Sequence, residues 1–137
     1  MKWNKRFTYP KSVRSLKDGQ RHYDVGNEKL PSVTTILAAT QSDEKRESLA
    51  KWIAKKGKIE AERVKNEAAN RGSIMHSILE HHINGNNILD MTETGQGAHR
   101  MAAVIIDKGF DNLDEIWGSE VVLSYPGLYA GQTDLVG

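Results

Sequence analysis

A chain of 137 residues that is 38% hydrophobic and 27% charged has the size and composition of an ordinary globular protein with one modest core, and reads as a single domain. It contains no apolar run of the roughly 18 residues a membrane span needs and opens on no charged-then-apolar leader, so no membrane partner is read. Cysteine is absent, which removes disulfides, thiolate metal sites and cysteine nucleophiles, fits a reducing cytoplasmic setting and leaves His, Asp and Glu to hold any metal; the net charge of +1 says little until it is divided along the chain.

Residues 1–21 hold seven Lys/Arg against the single acid Asp18, and 1–20 reads as a basic N-terminal arm. "RHYDVGNEKLPSVTTIL" then predicts a short strand over Arg21 to Val25, a turn at Gly26-Asn27, and a helix that opens at Pro31-Ser32 with Ser32 as its cap. "SDEKRESLAKWIAKKG" predicts a helix capped by Ser42, with Asp43 and Glu44 in its first turn, lysines in its last and Gly57 as its stop. Leu49, Trp52 and Ile53 make its apolar stripe and turn inward. A second helix covers Ile59 to Ala69, a third Ser73 to Asn84, and a fourth Gln96 to Lys108 with Met101, Val104 and Ile105 inward. The period then changes, and "SEVVLSYPGLYAGQTDLVG" predicts two strands joined at Pro126-Gly127. Helices first and a hairpin last define an α/β or α+β domain.

Charge follows these elements. Residues 45–71 carry nine Lys/Arg against four Glu, whereas residues 72–137 carry only Arg100 and Lys108 against nine acids. A basic front and an acidic back suit a polyanion at one end and a cation at the other, although lysines on helices are equally a solvated face.

Two stretches concentrate chemistry. In "RGSIMHSILEHHING", His76 and Glu80 stand four residues apart and share one helix face, while Ile74, Ile78 and Leu79 serve the core. Gly72 permits close backbone approach, and Arg71 suits a phosphate. By spacing alone such a His–Glu pair is more often a surface contact than a site. His81 and His82 read as surface residues, and a zinc site from His76, His81 and His82 is disfavoured because these positions diverge around the helix. In the closing hairpin, Glu120 and Asp134 place two carboxylates on neighbouring strands, hard oxygen donors suited to Mg²⁺ or Mn²⁺.

Taken together, "LPSVTTIL", the Trp-bearing basic helix, "RGSIMHSILE" and "SEVVLSYPGLYAGQTDLVG" resemble the RecB-type branch of the PD-(D/E)XK nucleases, which includes phage exonucleases and the mitochondrial genome maintenance exonuclease. Gly72, Ser73, His76 and Glu80 match that branch's helix pattern G-[ST]-x-x-H-x-x-x-E. Glu120 matches its strand Glu, and Gly131 with Asp134 match G-x-x-D. The resemblance covers residues 21 to 137. It implies a restriction-endonuclease-like core with helices followed by a central mixed sheet, and a Mg²⁺- or Mn²⁺-dependent exonuclease acting on DNA. His76 and Asp134 would be metal ligands, Glu120 and Glu80 catalytic supports. Lys51, Lys55, Lys58, Arg71 and Ser73 would contact DNA. The family's next strand, bearing [DE]-x-K, is not found: Gly137 stands three residues after Asp134. The expectation is a chain cut after the second core strand and inactive by itself. A degenerate remnant, a non-catalytic nucleic-acid-binding module and a purely structural helical protein remain the alternatives.

Overall fold

A computed structural model describes residues 1–137. The chain is mixed α and β, and it divides into two compact units. One, the sheet unit, comprises residues 2–45 and 115–137; the other, the helical unit, comprises residues 46–114 together with Met1.

The sheet unit is assembled from hairpins. Strands β2 (Ser12–Lys17) and β3 (Gln20–Val25) pair antiparallel across Asp18-Gly19, where both residues adopt positive φ (53° and 74°) as a type I′ turn requires. Strand β4 (Glu28–Pro31) returns along β3 after Gly26-Asn27, with Gly26 at φ 60°. Strands β6 (Gly118–Tyr125) and β7 (Tyr129–Val136) form the hairpin expected at Pro126-Gly127, closed by the Leu128 N–H donating to the Tyr125 carbonyl at 3.1 Å. Two-residue strands β1 (Lys2–Trp3) and β5 (Glu115–Ile116) pair parallel.

The strands thus form three small sheets rather than one central mixed sheet. Adjacent hairpin strands pair locally because their closure entropy is small, and β1 and β5 are too short to extend a larger sheet. One parallel bridge, Ser32 to Ala130, ties β7 to the start of helix α1 (Val33–Ala39).

The expected basic arm is not free. Asn4 Nδ2 donates to Glu115 at 3.0 Å, the Tyr9 hydroxyl donates to the Trp117 carbonyl at 3.0 Å, and the Arg6 guanidinium lies 5.2 Å from the ring centres of both Phe7 and Trp117. A Cβ at Gly118 would fall 2.8 Å from the Tyr9 hydroxyl, so that position admits only glycine while Tyr9 is in place. The unit's core is Tyr23, Leu30 and Ala130, with Val25 and Val122 against them.

Ser32 caps α1 as predicted: its buried hydroxyl accepts from the Thr34 N–H at 3.2 Å. Ser42 likewise accepts from the Lys45 N–H at 3.3 Å, opening helix α2 (Asp43–Lys56). Gly57, at φ 87°, ends α2. No residue of α2 is buried, and Leu49, Trp52 and Ile53 are 51%, 36% and 37% exposed. The inward stripe is therefore corrected; three apolar side chains within about one turn of an otherwise Lys-, Arg- and Glu-rich helix offer little area to bury.

In the helical unit, the expected second and third helices are one, α3 (Lys58–Ile83, 26 residues), running through Gly72. A helical glycine costs only about 1 kcal/mol, less than the surrounding helix-forming residues contribute. Helix α4 (Glu93–Val104) packs on α3 through Ile78, Ala98 and Ala102, with Ile74, Met75, Leu79 and Ile88 around them. The expected inward residues Met101 and Val104 are instead exposed. Alanines four apart let the two helices approach closely, and that outweighs the larger side chains on the other face.

Thr92 caps α4, its hydroxyl accepting from the Gly95 N–H at 3.0 Å. Asp90 in turn accepts from the Thr92 N–H and hydroxyl, and these bonds, with His99 nearby, hold its carboxyl below the usual carboxylate range. The helix closes through a π-helical turn, Ile105–Gly109. No helix is long and apolar enough to cross a membrane.

Candidate metal centre on the closing hairpin

The β6–β7 register pairs Ser119 with Leu135 and Val121 with Thr133, so Glu120 and Asp134 stand directly opposite one another. Theirs is the one position skipped in an otherwise unbroken ladder. The cause is at Glu120, whose φ of 53° lies in the left-handed region, where a residue with a long side chain is rare. Alternation puts both acids on the hairpin face that also carries Val122 and Ala130, the residues turned to the core of the sheet unit.

Their side-chain oxygens lie within 4.8 Å of each other. Glu120 is half-buried, Asp134 is exposed, and Gln132 Nε2 donates to Glu120 Oε2. Like charges directly opposite on neighbouring strands destabilise a hairpin, so both acid placement and backbone strain work against the fold at this point. A hard divalent cation would offset the first of these, since it takes oxygen donors in a small arc and converts repulsion into shared coordination. The donor chemistry fits Mg²⁺ or Mn²⁺.

Gly131 has a local reason. A Cβ there would sit 3.0 Å from Val33 Cγ2, so glycine lets the first residue of α1 approach β7. Gly131 thus lies where β7, the strand that bears Asp134, meets α1.

His76 and Glu80 lie one turn apart on α3, and both are exposed. The other two histidines of that helix are half-buried and engaged, which corrects their reading as simple surface residues. His81 Nδ1 donates to the Ser77 carbonyl at 2.7 Å, and His82 stacks on Phe110 with ring centres 6.1 Å apart. Lys51, Lys55 and Lys58 are exposed, but the first two belong to α2 and the third opens α3 beyond the Gly57 bend, so the single row expected of them is broken. Ser73 is exposed. Arg71 is half-buried, its Cδ 3.5 Å from where a Cβ on Gly97 would stand, so its aliphatic stem lies along α4. Gly72 does not admit another backbone: a Cβ there would meet nothing within 4 Å.

Reading by sequence missed Gln132, and it missed Arg14 and Arg21. These arginines flank the Asp18-Gly19 turn, and the Asp-Gly pair was the available signal for the hairpin that carries them. Comparison with protein-family models, with curated proteins and with solved structures gives no match to this chain.

Proposed function

We propose that the chain carries the metal-binding hairpin of a metal-dependent deoxyribonuclease of the PD-(D/E)XK type. The observation that carries this reading is the Glu120–Asp134 pair: two carboxylates opposed across a hairpin, at the one strained residue of the ladder. Functional sites are where such strain and like-charge placement are retained.

In this reading Asp134 and Glu120 hold Mg²⁺ or Mn²⁺ through oxygen. The family pattern adds His76 to the ligand set and Glu80, one turn on, as a group that orients the His76 ring. Bound there, the ion supplies Lewis acidity toward a phosphoryl oxygen and charge neutralisation. The chain's own residues position: Gln132 fixes the Glu120 carboxylate, Gly131 seats β7 against α1, and the basic residues meet the phosphate backbone. A second reading, a nucleic-acid-binding module without catalysis, rests on the basic stretches at residues 1–21 and 45–71 alone and needs no metal.

Metal-dependent stabilisation separates the two. A ligand held only by the folded state raises the unfolding free energy by mass action, by about 2.7 kcal/mol at a hundredfold excess over Kd, and the melting temperature with it. Mn²⁺ is expected to raise the melting temperature of the wild-type chain and not that of Asp134→Asn. Equal shifts in both would remove the metal centre and leave the binding module.

A further inference from the structure

The sheet unit contains a cleft of about 630 Å³, lined among others by Arg14, Arg21, Thr34, Tyr125, Tyr129 and Asp134. Arg14 stands opposite Tyr23 and Arg21 opposite Leu16 in the β2–β3 ladder, so the two arginines are diagonal neighbours on the face that carries the buried Tyr23. Neither guanidinium is ion-paired. Two unneutralised cations held on one rigid hairpin face are a phosphate-binding arrangement.

On the same lining, Tyr125 and Tyr129 pair next to the turn of β6–β7. Their rings stack with centres 5.8 Å apart and 24° between planes, and they stay 57% and 40% exposed. A stacked aromatic pair with an outer face open to solvent is a platform for a nucleobase. Asp134 lies on the same lining, and the cleft's size is that of a site for a small organic group such as a nucleotide.

We infer that this cleft binds single-stranded DNA, with phosphate on Arg14 and Arg21 and a base on the Tyr125–Tyr129 pair, so that the strand runs to Asp134. The direction toward Asp134 rests on the nuclease reading; the binding itself does not. An acidic peptide would satisfy the arginines but leave the stacked rings without a planar partner. The DNA subsite is thus distinct from Lys51, Lys55 and Lys58 of the helical unit.

The test is binding of a short fluorescent oligo-dT to the full chain in EDTA, over a range of salt. Each phosphate contact to a single strand contributes about 0.7 to the log–log salt slope, so Arg14→Gln with Arg21→Gln should flatten it by about 1.4, while the Arg→Lys pair preserves it. Tyr125→Ala with Tyr129→Ala should weaken binding about tenfold at every salt, because stacking is not screened. Asp134→Asn should tighten binding by removing a charge from the phosphate path.

Circular dichroism confirms that each variant is folded. No binding by the wild-type chain at low salt would overturn the inference. So would an unchanged slope in the arginine pair, or a slope lost instead on neutralising Lys51, Lys55 and Lys58. Mn²⁺ binding is read separately: a chain that holds Mn²⁺ but not oligo-dT keeps the nuclease reading and loses this subsite, whereas oligo-dT binding without Mn²⁺ keeps the subsite and loses the nuclease reading.

Discussion

Glu120 combines two costs at one residue, a left-handed φ of 53° and a carboxylate facing Asp134. Glycine adopts positive φ without penalty, whereas alanine does not. Glu120→Gly is therefore expected to leave stability unchanged or raise it, and Glu120→Ala to be less stable than Glu120→Gly by about 1 kcal/mol; urea unfolding of both without metal checks the order.

At Gly131 the issue is space. Gly131→Ala should destabilise, by about 1–3 kcal/mol, through contact with Val33, and Val33→Ala should recover most of that loss in a double-mutant cycle. A cycle with no coupling would show that β7 is not seated by α1. The sequence displayed Asp134 and Glu120 through residue type and order alone. It did not display the positive φ or the skipped ladder position, because these depend on register between strands rather than on local propensity.

Element boundaries were legible where a single residue decides them. Ser32, Ser42, Gly57 and Pro126-Gly127 act through capping hydrogen bonds or positive φ, and each does what its chemistry predicts. Strands β2 and β4 were missed: polar, lysine-bearing stretches have no strong alternation, and only the Asp18-Gly19 and Gly26-Asn27 turns announce them.

Helix α3 shows the opposite error, a glycine read as a boundary that the helix passes through. Gly72→Ala should then stabilise the chain by about 0.5–1 kcal/mol, since nothing lies within 4 Å of the new methyl group. Destabilisation would mean that Gly72 accommodates a close neighbour after all. Trp52→Ala tests α2 in the same way: an exposed position predicts a change within about 0.5 kcal/mol, where an inward stripe predicts unfolding.

The N-terminal segment also makes a pH prediction. Hydrogen bonds from Trp117 Nε1 and Asn4, with Arg6 nearby, hold the Glu115 carboxyl below its ordinary range. A depressed folded pKa gives stability that is present above the ordinary Glu value of about 4.3 and lost as pH falls through the lowered one. Tryptophan fluorescence should report loosening of residues 2–9 only below that value, and Glu115→Gln should abolish the acid step.

For the molecule as a whole, a basic sequence front, an acidic back and a pair of opposed carboxylates converge on the proposal that the closing hairpin holds a divalent cation. Net charge along the chain suggested the division. The placement of the basic residues alters its meaning, because the N-terminal stretch is folded into the sheet unit and the exposed α2 lysines are broken from α3 at Gly57. Composition reports how many charges a segment holds, and only strand pairing decides which of them share a surface.

The measurement that tests the claim most directly is a titration of Mn²⁺ into the full chain, followed by loss of the free-ion electron paramagnetic resonance signal, for wild type, Glu120→Gln, Asp134→Asn, His76→Ala and Glu80→Ala. One site per wild-type chain is expected, with binding at least about tenfold weaker in Asp134→Asn, Glu120→Gln and His76→Ala. Glu80→Ala should show a smaller loss, because it orients rather than ligates. Free Mn²⁺ undiminished by millimolar wild-type chain, or one affinity shared by wild type and the Asp134 and Glu120 variants, would contradict it.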